Sequence, residues 1–273
     1  MWAILDTNVS KTPKESLPDT QIGSFNIHHN PTLVPPTQLS TSIESNDIAL
    51  KIENLSKIYD SVAGKVVALR KINFTIKKGE FVSIIGPSGS GKSTLLYMIG
   101  ALDKPTAGKV FIDGIDIFSL KDSEIATMRN NLIGFIFQSY NLINRTTVQK
   151  NVELPAIISG MSSTDRHKRS LKILHALGIA DKAKHKTSNL SGGQQQRVAI
   201  ARSLINNPTL ILADEPTGNL DTKTGQEIFQ MLKTLSNKFR RTVIMVTHNP
   251  ELAESTDRSI FIRDGRVERD TIN

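Results

Sequence analysis

Three short segments, in a fixed order, hold residue types suited to phosphate chemistry: GPSGSGKST at residues 86–94, LSGGQQQR at 190–197 and LILADE at 210–215. The first reads Gly86-Pro87-Ser88-Gly89-Ser90-Gly91-Lys92-Ser93-Thr94. Its glycines let the backbone wrap an anion with the amide N–H groups turned inward. The run opens a helix, whose N-terminus adds a potential favourable to anions. Lys92 can neutralise the β- and γ-phosphates of a nucleoside triphosphate, and the Ser93 hydroxyl can ligate Mg²⁺. An ordinary Gly/Ser turn is the simpler alternative. It loses ground because a strand precedes the run and an amphipathic helix follows.

The third segment is a buried strand that ends in two carboxylates. Asp214 is suited to hold Mg²⁺, directly or through water, and Glu215 to orient and polarise an attacking water. An acidic pair at a strand end is common, and only its place downstream of a phosphate loop gives it weight. The middle segment discriminates more. Ser191, followed three residues later by Gln194, fits a capping box, so a helix begins there. Val198, Ala201, Leu204 and Ile205 give that helix an apolar face before Pro208 stops it. A helix start carrying Ser191, Gly192 and Gly193 is again suited to an anion, although a plain capped helix would look the same. Because one loop already cradles the phosphates, a second anion-facing element serves the same γ-phosphate from the other side. That requires either a fold-back or a second subunit.

These segments need a scaffold. The chain has 273 residues, 38% hydrophobic and 22% charged, ordinary for a soluble protein with a substantial core. No apolar run approaches the roughly 20 residues that cross a bilayer, so any membrane role comes through a partner. The opening MWAILDTNVS, interrupted by Asp6 and led by no basic region, does not read as a secretory signal. Without cysteine there are no disulfides or thiolate metal sites, which fits a reducing compartment. The net charge of +8 admits nucleic acid, anionic lipid or a polyanionic ligand. No run of basic residues interleaved with aromatics appears, so nucleic acid is not the expected partner.

Residues 1–47 contain Pro13, Pro18, Pro31, Pro35 and Pro36, many Ser, Thr and Asn, and no sustained periodicity. Such a segment buries too little apolar surface to offset its ordering entropy and is expected to be a disordered extension. From Ile48 the pattern changes. IALKIENLSKIY, VVALRKINFTI and FVSIIG read as strands. Leu95, Leu96, Ile99 and Leu102 then recur at helical spacing. IGFIFQ, TLILADE and TVIMVTH are short apolar runs suited to strands buried on both faces. Helices are expected over 165–177, 192–206 and 224–238, and Asp264-Gly265 marks a hairpin in SIFIRDGRVER. Alternating strands and helices argue an α/β core with a parallel sheet. Residues from about 141 to 190 lack strand-like runs and read as a helical insertion.

The LSGGQ string, with the two flanking motifs, resembles the signature of the ATP-binding cassette family, the nucleotide-binding subunits of ABC transporters. The resemblance covers about residues 48–270. It implies a P-loop NTPase core with a mixed, largely parallel sheet, an N-terminal antiparallel β region and a helical insertion, residues 48–273 forming the cassette domain. It implies ATP and Mg²⁺ as ligands, and a homodimer paired head to tail. Each ATP would lie between one chain's phosphate loop and the other's Ser191, Gly192, Gly193 and Gln194. Four further positions follow from the same resemblance. Tyr59 looks like the aromatic that stacks on adenine. Gln138 resembles the glutamine that senses Mg²⁺ and the attacking water and links to the permease. Asp221 resembles the aspartate that communicates across the dimer, and His248 the switch histidine on the γ-phosphate. No catalytic position departs from the competent type, which implies an active hydrolase.

GALDKPTAGKVFIDG, RNNLIGFIFQSYNLINRTTVQKNVELP and ADEPTGNLD further resemble the macrolide-exporter and lipoprotein-release subgroup. Its permeases carry few transmembrane helices and a large external domain, which places the ATPase at the cytoplasmic face of the membrane. A soluble cassette ATPase acting on DNA or ribosomes is the alternative. Such proteins carry tandem cassettes or a long coiled coil, and neither is visible here.

Overall fold

The computed structural model describes residues 47–62 and 64–273. The expected disordered extension therefore lies outside the described residues, apart from Asp47.

Two sheets carry the architecture. In the first, β1 (Ile48–Ser61) and β2 (Gly64–Lys77) pair antiparallel, joined by β4 (Ala107–Ile112) and β5 (Ile115–Asp116) in the order β2-β1-β4-β5. The second contains β3 (Phe81–Ile85), β6 (Ile133–Phe137), β7 (Leu210–Asp214), β8 (Thr242–Val246), β9 (Arg258–Arg263) and β10 (Arg266–Ile272). Their order is β10-β9-β3-β8-β7-β6, with every neighbour parallel except the β9–β10 hairpin. The expected mixed, largely parallel sheet and the N-terminal antiparallel region are both present.

The helices are α1 (Lys92–Ile99), α2 (Asp122–Leu132), α3 (Val148–Ile158), α4 (Ser163–Ala176), α5 (Gly192–Leu204), α6 (Thr222–Asn237) and α7 (Pro250–Glu254). They cover both faces of the parallel sheet. Side chains alternate along its strands. Leu210, Leu212, Ile244 and Val246 enter one core with α1 and the antiparallel sheet. Ile211, Ala213, Val243 and Met245 enter the other with residues of α3, α4, α5 and α6. Two-sided burial is why β7 and β8 read as unbroken apolar runs. Each such Leu or Ile contributes about 1.5–3 kcal/mol on burial.

Local expectations and structure differ in instructive places. The apolar recurrence through Leu102 suggested a longer α1, but the helix stops at Ile99. The Gly100 N–H donates to Leu96 O at 2.9 Å, and a Cβ at Gly100 would lie 2.4 Å from Phe135 Cζ. Ala101 turns the chain at φ 50° and leaves Leu102 exposed. The sequence pattern does not mark strands β4 and β5. Their two-residue turn, Asp113-Gly114 with φ 49° and 79°, is a hairpin signal that the sequence does contain. Within the expected insertion, α3 and α4 pack against α5 through Val152, Ala156, Leu174 and Val198. No helix among the described residues is long and apolar enough to cross a membrane.

Candidate functional site

The phosphate loop leaves the end of β3 and enters α1. Gly86 has φ 148°, and a Cβ there would sit 2.0 Å from Ile262 O on β9. No other residue type fits so close an approach. The Gly265 N–H, in the β9–β10 turn, donates to Ser90 O at 3.0 Å and braces the loop from outside. Lys92 Nζ donates to Gly86 O and Pro87 O, both at 2.8 Å, so its ammonium is folded over the loop's own carbonyls. The Ser90 hydroxyl is almost wholly buried and finds no partner among the described residues.

One turn along, the Ser93 hydroxyl reaches Asp214 Oδ1 at 3.4 Å, joining α1 to the end of β7. Burial, and then the neighbouring Glu215 charge, push the Asp214 carboxyl above the usual carboxylate range; Ser93 and Lys92 pull the other way. These are hard oxygen donors, the class that Mg²⁺ prefers. Among the described residues no group of three or more His, Cys, Asp or Glu could hold a metal unaided. Ser93 and Asp214 fit a Mg²⁺ that shares its coordination with phosphate and water, as Mg²⁺ does with nucleotides.

Glu215 adopts φ 47°, a left-handed conformation that costs a non-glycine residue on the order of 1 kcal/mol or more. Its N–H donates to Val246 O at 3.0 Å, which holds the bend against β8. The bend aims the carboxylate at the residue that follows β8 by two positions: Glu215 Oε2 and His248 Nδ1 are 2.8 Å apart. The Glu215 side chain is 18% exposed and that of His248 73%, so the pair spans from the sheet end to solvent. Gln138 behaves differently. Its Nε2 donates to Asn219 Oδ1 at 3.3 Å and its backbone carbonyl accepts from Asn219 Nδ2 at 3.1 Å. No hydrogen bond joins it to Ser93 or Asp214.

Tyr59, near the far end of β1, is half-exposed, and its hydroxyl donates to Asp103 Oδ2 at 3.0 Å. The Ser191 start of α5 forms the expected capping box. Its Oγ accepts from Gln194 N at 3.4 Å and its N–H donates to Gln194 Oε1 at 3.1 Å. No hydrogen bond links residues 191–194 to residues 86–94 of the same chain. Asp221 caps α6, accepting from Thr224 N at 3.0 Å. The side-chain and backbone hydrogen bonds from Thr224 hold its carboxyl below the usual range.

Gly193 packs against that same cap: a Cβ would meet Thr224 Cγ2 at 2.4 Å. Gly193→Ala is therefore expected to destabilise the fold by about 1–3 kcal/mol in chemical denaturation. Adding Thr224→Ser, which removes the opposing methyl, should restore most of the loss. No rescue in the double variant would mean that packing is not what requires this glycine.

Sequence reasoning missed Tyr97, Asn219 and Arg202. Tyr97 lies one helical turn after Ser93, a spacing that could have flagged it. Burial, and then Asp214's charge and hydrogen bond, push its phenol up. Arg202 on α5 donates to the carbonyls of Tyr140 (2.9 Å) and Asn141, pinning the chain that leaves Gln138. No local signal marked it.

The sequence profile of the ABC transporter family matches residues 69–218. MJ0796, an uncharacterized ABC transporter ATP-binding protein of Methanocaldococcus jannaschii, is 51% identical over 225 residues, covering 81% of this chain and 96% of that protein. Its dimeric structure has a TM-score of 0.76 at 50% identity, covering 82% of this chain and 98% of that one. A dimeric post-hydrolysis state of the same cassette, bound to ADP and Pi, also has a TM-score of 0.76, at 49% identity. The macrolide export ATP-binding/permease protein MacB of Brucella melitensis is 47% identical over 222 residues, which make up 81% of this chain but 34% of MacB.

Proposed function

The chain belongs to the ABC transporter family as an ATP-binding and ATP-hydrolysing cassette, and from that premise we propose that two copies pair head to tail and drive a membrane permease. The observation that carries this reading is the likeness to MJ0796, a cassette solved as a dimer at 50% identity to this chain. Two anion-ready helix starts in each chain, at residues 86–94 and 191–194, suit a γ-phosphate gripped from both sides by such a pair.

The mechanism follows from the contacts. On nucleotide binding, Lys92 exchanges the carbonyls of Gly86 and Pro87 for the β- and γ-phosphates, joined by the loop's N–H groups from residues 88–94. Ser93 and Asp214 would hold Mg²⁺, which supplies charge neutralisation on the phosphates when bound. Glu215 accepts the proton of the attacking water, and its contact to His248 Nδ1 fixes the direction of the carboxylate. That leaves the far edge of the exposed imidazole free to contact the γ-phosphate. Closure of the two chains is a ligand-shifted equilibrium: ATP favours the closed pair only through its better fit there. Phosphate release removes the bridge, and the pair reopens. Gln138, the Tyr140–Asn141 segment held by Arg202, and the helical subdomain of residues 141–190 form the proposed route to the permease. The macrolide-export relatives support an export type; a lipoprotein-release variant of it, a permease bearing a large extracytoplasmic domain and a cassette on the cytoplasmic face belong to the same proposal and rest on the subgroup resemblance of the sequence.

Complementation tests the pairing. Lys92→Ala and Ser191→Arg chains should each be inactive alone. A mixed dimer combines the intact loop of one with the intact signature of the other. An equal mixture should recover about a quarter of the unmodified rate, since half the dimers are mixed and each has one working site. A mixture as inactive as its parts would remove the head-to-tail arrangement.

A further inference from the structure

The segment that leaves α1 returns to the end of β1 that carries Tyr59, and it is tied there repeatedly. Thr106 N donates to Ser56 O, and Ile58 N donates to Thr106 Oγ1, both at 2.9 Å. Those two bonds already pin the loop to the strand. A second set does something else. Asp103 offers one carboxylate oxygen to Lys57 Nζ at 2.8 Å and the other to the Tyr59 hydroxyl at 3.0 Å. Lys57 Nζ also donates to Lys104 O at 2.7 Å, and it stands 4.7 Å from the centre of the Tyr59 ring. The Lys57 side chain is only 12% exposed, so its ammonium is fixed rather than waving in solvent.

We propose that Asp103 is a positioning residue for nucleotide recognition, holding Tyr59, through its hydroxyl and through Lys57, as a preset platform for the purine base. The inference rests on the reading of Tyr59 as the stacking aromatic. A half-exposed tyrosine changes rotamer on the ps–ns timescale, and stacking a base on it would forfeit that freedom. Here the phenol is tethered at its oxygen, and a cation lies over its ring. The ordering cost is met before the nucleotide arrives. Burial works to raise the Asp103 carboxyl, but the bonds from Lys57 and Tyr59 prevail and hold it below the usual carboxylate range. At neutral pH it accepts from both partners. Asp103 also follows α1, whose opposite end carries Lys92 and Ser93, so the base platform and the phosphate loop are anchored to one helix. The early stop of α1 at Gly100 and the turn at Ala101 bring Asp103 back to β1.

The test separates base from phosphate recognition in the full chain. Calorimetric affinities for Mg-ATP and for Mg-tripolyphosphate, which has no base, are measured for Tyr59→Phe, Asp103→Ala, the double variant and Tyr59→Ala. Tyr59→Phe keeps the ring and the fold but cuts the tether. Tyr59→Phe and Asp103→Ala should each weaken ATP about 3- to 10-fold, the scale of one net hydrogen bond. The double variant should be no weaker than the weaker of the two singles, because the Tyr59–Asp103 bond is already gone in each. Tripolyphosphate affinity should not change. Tyr59→Ala should weaken ATP further, by roughly 5- to 100-fold, the scale of a base–aromatic stack. If Tyr59→Ala binds ATP like the unmodified chain, the stacking reading itself fails. If Tyr59→Ala weakens ATP while Tyr59→Phe and Asp103→Ala do not, the stacking reading stands and the tether is overturned. Equal losses for ATP and tripolyphosphate would also overturn it, since they would report general damage.

Discussion

Glu215→Gln is expected to abolish nearly all turnover while leaving ATP bound. The substitution keeps the shape of the side chain, and an amide can still meet His248 Nδ1 at the 2.8 Å seen for the carboxylate. What it removes is the ability to take a proton. A positioned general base contributes about 10²- to 10⁴-fold, so single-turnover hydrolysis should fall by that factor. The contacts of Lys92, Ser93 and Tyr59 lie elsewhere and are untouched, so ATP affinity should hold within a few-fold. Because the bridging triphosphate is no longer consumed, an ATP-dependent dimer should accumulate in sedimentation and disperse when ATP is removed. Hydrolysis at the unmodified rate would reassign the base. Lost ATP binding would show that Glu215 serves the loop rather than the water.

Lys92→Ala is expected to fail at the earlier step. The Lys92 ammonium donates to two carbonyls of its own loop, and on the proposed reading the phosphates take their place. Truncating one member of a desolvated charge pair costs about 2–5 kcal/mol, which corresponds to an ATP affinity roughly 30- to 4000-fold weaker. Alanine is at least as good a helix former as lysine, so α1 should persist and the thermal midpoint should hardly move. Adenosine, which lacks phosphates, serves as the control and should bind both chains alike. Calorimetry with ATP and adenosine checks both statements; an unchanged ATP affinity would remove the lysine from phosphate recognition.

These two residues illustrate how unevenly the site was legible. Lys92 could be assigned from its neighbours alone, because a phosphate loop is a local object. Its glycines, its helix start and its lysine lie within nine residues, 86–94. The α5 start was legible for the same reason: a capping box joins positions three apart, and Ser191 and Gln194 form it. Strands β7 and β8 announced themselves because burial on both faces leaves apolar runs at residues 210–213 and 243–246. The two-residue β5 is too short to give a periodic signal, and in α2 only Ile125, Met128 and Leu132 carry one, spaced among charged and polar residues. Asp221 was legible as a family position, yet its visible work in the chain is to cap α6.

What the sequence alone determined, then, is the inventory of chemistry and the local geometry that presents it: loop, capped helices, buried strands and the Asp264-Gly265 hairpin. Tertiary structure alone decided which of these groups meet. Glu215 and His248 are 33 residues apart and touch because β7 and β8 are parallel neighbours that end together. Tyr59 and Asp103 are 44 apart and touch because α1 stops where Gly100 faces Phe135. Gly86 must be glycine because β9 passes beside β3. Periodicity and capping record hydrogen bonds made within about a turn of the chain. The order in which parallel strands assemble is set by packing over the whole sheet, and no window of sequence contains it.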